Sequence, residues 1–249
     1  FVETAQDMVE KIIGYEENLN TSEDWFNRIL LSGTDPFGDY EGAEGEILQE
    51  HIASLWEAGN KSRFYETDGT LTGSNLAQGF NDGCVFASFA GHGSPDGWAI
   101  GAWFGIFPIL FSSSNVRDLT NGFKLPVVTA MACSTARFDD ADCIGEWFIG
   151  NPNGGGIGYF GATRIAWAYV GEWIKDGLLG EMIWRVYQTF NEGYSRLGEI
   201  WGISVSKYVE NHPIEWSIHD EKTVMEYILF GDPSLFIPVR TNRHPIDIA

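Results

Sequence analysis

Two hydrophobic periods alternate along this 249-residue chain. Ala5, Met8, Val9, Ile12 and Ile13 recur three and four apart behind a cap candidate at Thr4, which predicts an opening helix. The run "RILLS" (Arg28 to Ser32) predicts a strand. After the acidic, glycine-rich loop "GTDPFGDYEGAEG", Leu48, Ile52, Leu55 and Trp56 mark an amphipathic helix ended by Gly59. "SRFYET" then reads as a strand and "SNLAQGF" as a short helix. Cys84 to Ala90 and Pro126 to Ala132 are nearly continuous apolar runs, as in strands covered on both faces. "SSSNVRDL" between them carries serine caps and predicts a helical turn. A helix at Cys143 to Ile149, a loop and strand over "NPNGGGIGYFGA", and helices at Leu178 to Phe190 and Arg196 to Glu210 follow. "YILFGDPSLFIPV" places a turn at Gly231-Asp232-Pro233 before a final strand. This βαβα alternation predicts one α/β domain spanning 1–249, with a mainly parallel sheet and active-site groups at the carboxyl ends of its strands.

Two of the buried-type strands end in reactive groups. "CVFASFAGHGSPD" delivers His92 and "VVTAMACSTARFD" delivers Cys133, 41 positions further on, which leaves room for a crossover connection. A free thiol is mostly protonated at neutral pH, and a neighbouring histidine takes its proton or stabilises the anion. Glycines on both sides of His92 allow backbone N–H groups to approach a substrate. A packed histidine and an inert buried cysteine compete with catalysis, and the pattern alone leaves these readings balanced. Zinc lacks a Cys-x-x-Cys or His-x-x-x-His pair, and the triple glycine at 154–156 lacks the lysine of a phosphate loop.

Charge narrows the partners. Thirty-five acidic against 15 basic side chains give a formal charge of −20, which repels nucleic acid and draws cationic substrates. Cys84, Cys133 and Cys143 leave at least one thiol unpaired. The longest apolar run, Trp98 to Phe111, is too short for a membrane span and is broken by Gly101, Gly105 and Pro108. It reads as a loop or insertion near a groove, with core packing preferred over partner or membrane contact.

"GHGS" after a strand, "LTNGFKLPVVTAMACSTARFDDADCIGEWFI", "YFGATRIAW" and "LFGDPSL", in this order, resemble the gingipain-type cysteine peptidases of the caspase-like group over nearly the whole chain. The resemblance implies a caspase-like three-layer α/β/α sandwich with a mainly parallel central sheet. It also implies Cys133 as nucleophile, His92 as general acid/base, and an oxyanion hole from the backbone N–H groups of Gly93 and Cys133. Asp35 falls where the family orients its histidine with an acid; a turn aspartate before Pro36 is the competing reading. Glu46 falls near the acid at the base of the pocket for the residue before the cleaved bond, against a role as first-turn helix carboxylate. Trp167 resembles an aromatic wall of that pocket, against core packing. Cys84 and Cys143 are expected to pack.

The expected protein is therefore a secreted cysteine endopeptidase cleaving protein or peptide substrates after a basic residue, arginine before lysine. A transpeptidase or sortase of the same family, and a catalytically silent binding subunit, are the alternatives. No cofactor is required and no metal ligands are assigned, although "DPFGDYEGAEGE" offers oxygens for a structural calcium ion of the kind family members bind. The family's upstream subdomain and C-terminal immunoglobulin-like domain are not in this sequence. Phe1 is expected to arise by cleavage after an upstream arginine, leaving an amino-terminal fragment as a further partner.

Overall fold

The computed structural model describes residues 2–38, 42–56, 59–101, 107–212 and 217–238; Phe1 lies outside them. Helix α1 (Val2–Glu17) starts two residues ahead of the expected cap at Thr4 and leads to strand β1 (Arg28–Gly33). Helix α2 (Glu44–Ser54), strand β2 (Asn60–Tyr65), helix α3 (Gly73–Asp82) and strand β3 (Phe86–Ala90) follow. A small antiparallel sheet comes next, built from β4 (His92–Ser94), β5 (Gly97–Ala99) and β6 (Ile109–Ser112). The chain continues through α4 (Ser113–Arg117), β7 (Val127–Met131), α5 (Ile144–Gly150) and β8 (Gly158–Ala162). Helices α6 (Leu178–Asn191), α7 (Leu197–Asn211) and α8 (Ile218–Glu226) precede β9 (Tyr227–Gly231).

The main sheet has the order β2-β1-β3-β7-β8-β9, parallel except where β9 runs against β8. Its alternating side chains feed two cores. Ile29, Leu31, Phe86, Val127 and Phe160 pack with Leu48 and Ile52 of α2 and with Met182, Val186 and Ile200 of α6 and α7. On the other face, Leu30, Phe89, Val128 and Tyr159 meet Leu76 and Phe80 of α3, Val116 of α4 and Phe148 of α5. The result is the three-layer α/β/α sandwich expected from the alternation.

Three local expectations are corrected. The last strand lies before the Gly231 turn; beyond it Phe236 makes only an isolated bridge to Arg196, because Pro233 and Pro238 bracket the segment and donate no N–H to a ladder. Helix α8 was not anticipated, although Ser217 and Asp220 form a capping box at its start. The segment from Trp98 to Phe111 supplies β5 and β6, with residues 102–106 outside the described set. Trp98 and Phe111 are fully buried, and Trp98 stacks on Phe89 at 4.7 Å, so the two ends of this stretch are core, whereas Phe107 and Ile109 between them are 46% and 48% exposed. Among the described residues no helix is long and apolar enough to cross a membrane.

Lys11 of α1 is buried and donates to the carbonyls of Phe148 and Ile149 at 2.9 and 3.1 Å, fastening α1 to the last turn of α5. Burial lowers its pKa to about 7. Between that value and the usual lysine range the unfolded chain holds this proton and the folded chain does not, so the Lys11 contribution to stability rises with pH across this window. Chemical denaturation at pH 7 and pH 9.5 should show stability changing more favourably with rising pH in the wild type than in Lys11→Met, in which the buried Cys84 and Cys143 thiols contribute unchanged.

Candidate active site

Strands β3 and β7 pair in parallel register from Phe86 beside Val127 to Ala90 beside Met131. Gly91 N–H extends the pairing to Met131 O at 3.0 Å. His92 and Cys133 each stand two residues past the last registered pair, Ala90 and Met131. They line one cleft of about 110 Å³, together with Pro36, Phe37, Ala166, Trp167, Ala168 and Leu179.

The imidazole is held by main chain. His92 Nε2 lies 2.8 Å from the carbonyl oxygen of Pro36, and the Phe107 ring packs on it at 4.3 Å between centroids. A carbonyl oxygen only accepts, so Nε2 carries the hydrogen and the neutral ring keeps its lone pair on Nδ1. The Asp35 carboxylate does not take this place. It accepts from Gly38 N–H at 3.0 Å while its own N–H donates to Glu66, so this short side chain closes a local turn and the neighbouring carbonyl orients the ring.

Around the thiol, Ala166 N–H donates to Sγ at 3.4 Å, and Sγ lies 3.8 Å from Ala166 O. Burial pushes the Cys133 pKa up, opposed by the Ala166 N–H. A base is therefore needed to generate the thiolate at neutral pH. The next residue, Ser134, is left-handed at φ 58°, and its N–H bonds Arg164 O at 2.9 Å, joining the cysteine loop to the segment after β8. Gly93 comes so close that a Cβ there would lie 2.8 Å from Ala132 Cβ and 2.9 Å from Cys133 O. Only glycine lets these two backbones, the expected oxyanion donors, lie together.

Trp167 borders the cleft half exposed, its ring edge on His219 at 5.0 Å and its carbonyl accepting Leu179 N–H at 3.1 Å. Glu46 does not reach it. Its carboxylate accepts from the N–H and hydroxyl of Thr67 at 2.9 and 2.7 Å and lines a separate cleft with Glu50, His51, Tyr65 and Glu172. Glu44 stands two residues earlier and so about 200° around the same helix. Glu44 is fully buried; Oε1 accepts from Gly171 N–H at 3.0 Å, and Oε2 is buried with no hydrogen-bond partner. Gly171 lies four residues after Trp167. Among the described residues no three His, Cys, Asp or Glu side chains gather as a metal site; part of the loop proposed for calcium, residues 39–41, lies outside that set.

A family model described as "Peptidase family C25" matches residues 2–238. The chain belongs to peptidase family C25. It is 24% identical over 247 residues to gingipain R2 of Porphyromonas gingivalis, covering 94% of this chain and 31% of that protein. It is 25% identical over 139 residues to gingipain R1 of the same species, covering 55% of this chain and 13% of that one. The crystal structure of the Arg-specific cysteine proteinase gingipain R superposes with a TM-score of 0.74 at 20% identity, over 94% of this chain and 53% of that one. A complex of Porphyromonas gingivalis RgpB pro- and mature domains gives 0.70 at 20% identity, over 93% and 53%. The chain thus spans less than a third of its full-length gingipain relatives, and the C25 match accounts for its caspase-like sandwich.

Cys84 and Cys143 are buried free thiols whose pKa values burial pushes up to about 12. Iodoacetamide on the native C25 domain should therefore add one equivalent, at Cys133. Peptide mapping by mass spectrometry checks this, and comparable labelling of all three cysteines would contradict the exposure difference.

Proposed function

We propose that this C25 domain is a secreted thiol endopeptidase that cleaves polypeptides after a basic residue, arginine before lysine. The observation that carries the reading is the sharing of one cleft by the Cys133 sulfur and an imidazole whose tautomer the Pro36 carbonyl fixes. His92 Nδ1 takes the thiol proton, and the thiolate adds to the scissile carbonyl while the Gly93 and Cys133 N–H groups receive the oxyanion. Collapse breaks the C–N bond, with His92 protonating the departing amine. Water activated by the same ring then hydrolyses the thioester. Because Cys84 and Cys143 are buried, the chain's spare thiols are shielded from an oxidising medium. The solved pro-domain complex of a neighbour supports a processed amino-terminal fragment as a partner.

Glu44 is the carboxylate best suited to the substrate's cation. Its second oxygen is buried without a protein donor, which a guanidinium would supply. The Arg-specific solved relative supports arginine over lysine. A peptide-library cleavage profile tests the assignment. Glu44→Ala should lose about a hundredfold or more in kcat/KM on arginyl substrates, whereas Glu46→Ala should stay near wild type; undiminished arginine preference in Glu44→Ala would overturn it. His92→Ala should lower kcat about 10²- to 10⁴-fold with KM little changed.

A further inference from the structure

The N–H that reaches the Cys133 sulfur belongs to the peptide unit between Ile165 and Ala166. The carbonyl oxygen of that same unit accepts from Lys222 Nζ. Lys222 also pairs with Glu226 one turn along α8. One planar amide thus stands between an ammonium group and a thiol, with the cation on its oxygen and the sulfur on its hydrogen. A cation on the oxygen polarises the amide and strengthens the N–H as a donor, and a stronger donor favours the charged form of the sulfur.

We propose that Lys222 is a positioning residue for the Cys133 thiolate, acting through the Ile165–Ala166 peptide, and that Glu226 limits how much of its charge that peptide feels. The proposal rests on Cys133 being the nucleophile. Helix α8 is placed for this role by its other attachments. Thr163 donates through its N–H and hydroxyl to Glu226 O at 2.8 and 3.0 Å, and His219 meets the Trp167 ring. Residues 163, 165 and 167 are thus tied to α8, while the intervening Ala166 faces the sulfur. Among the described residues the charged and titratable groups around the thiol are His92 from β4 and Lys222 and Glu226 from α8; Arg164, farther out, is forked onto Asp139. The electrostatic signs agree, since Lys222 lowers the thiol pKa and Glu226 raises it.

The test is the pH dependence of Cys133 alkylation by iodoacetamide, with thermal melting followed in parallel. Lys222→Met should move the inflection up by about one unit, cutting the rate at pH 7 about tenfold, and Lys222→Arg should restore most of it. Glu226→Gln should move the inflection down. Opposite directions mark a charge effect, because lost packing carries no sign. An unmoved inflection in Lys222→Met, or a shift in the same direction for both variants, overturns the proposal; if Lys222→Met does not fold, the direction in Glu226→Gln decides. Alkylation needs no peptide turnover. Shifted inflections in a protein that cleaves no peptide would retire the endopeptidase reading and keep this one, and intact cleavage with unmoved inflections would do the reverse.

Discussion

The site depends on the parallel register between β3 and β7. Because Ala90 pairs with Met131, an equal step of two residues brings His92 and Cys133 out of the sheet at the same edge. A slip of one residue would turn every side chain of one strand to the opposite face. Both strands are buried throughout, with Phe86 and Val127 feeding one core and Phe89 and Val128 the other, so such a slip would carry large apolar groups into the wrong layer. The packing that stabilises the sandwich is thus also what brings sulfur and imidazole to one cleft. Gly91 completes the exit, since a Cβ there would lie 2.6 Å from Thr34 Oγ1 at the end of the neighbouring strand.

Holding the ring with a carbonyl has an electrostatic consequence. The Pro36 oxygen fixes the tautomer by its dipole and adds no formal negative charge beside the sulfur. A carboxylate in its place would repel a developing thiolate, in a chain that already carries a formal charge of −20. Burial and Glu226 already raise the thiol pKa, so a neutral orienting group avoids a further increase.

What the sequence reveals follows from which physical quantities it carries. Cys84 to Ala90 and Pro126 to Ala132 announce themselves because double-sided burial demands continuous apolar residues, and His92 and Cys133 are legible as reactive groups at their ends. The partner of His92 is not legible, since it is a main-chain oxygen that every residue possesses. Asp35, the nearest acid, was the natural expectation and is spent on Gly38. The surroundings of Glu46 turn on where α2 begins, which the sequence does not state; starting at Glu44, the helix buries the Glu44 carboxylate completely and turns Glu46 toward Thr67. Helix α8 escaped because its burial is inverted. Ile218 and Met225 are 75% and 81% exposed, while Asp220, Thr223 and Glu226 are at most 5% exposed, so hydrophobic periodicity points the wrong way.

That inversion has a physical reason in the cleft. Asp220 accepts from the Tyr208 hydroxyl at 2.6 Å, and the same hydroxyl accepts Leu178 N–H at 3.1 Å. Leu178 is left-handed at φ 54°, which costs a residue with a Cβ about 1–2 kcal/mol. Among the described residues the non-glycine positions with positive φ are Leu178 and Ser134, each adjacent to a cleft-lining residue, Leu179 or Cys133. Each strained N–H is held by a hydrogen bond, from Leu178 to Tyr208 and from Ser134 to Arg164 O. Bonds of this kind are worth about 0.5–1.5 kcal/mol net and much more to a buried group that would otherwise be unsatisfied, so they offset the local strain. Asp220 faces inward on α8 because it receives the Tyr208 hydroxyl that holds Leu178, while Thr223 and Glu226 are satisfied within the helix itself, by the His219 carbonyl and by Lys222.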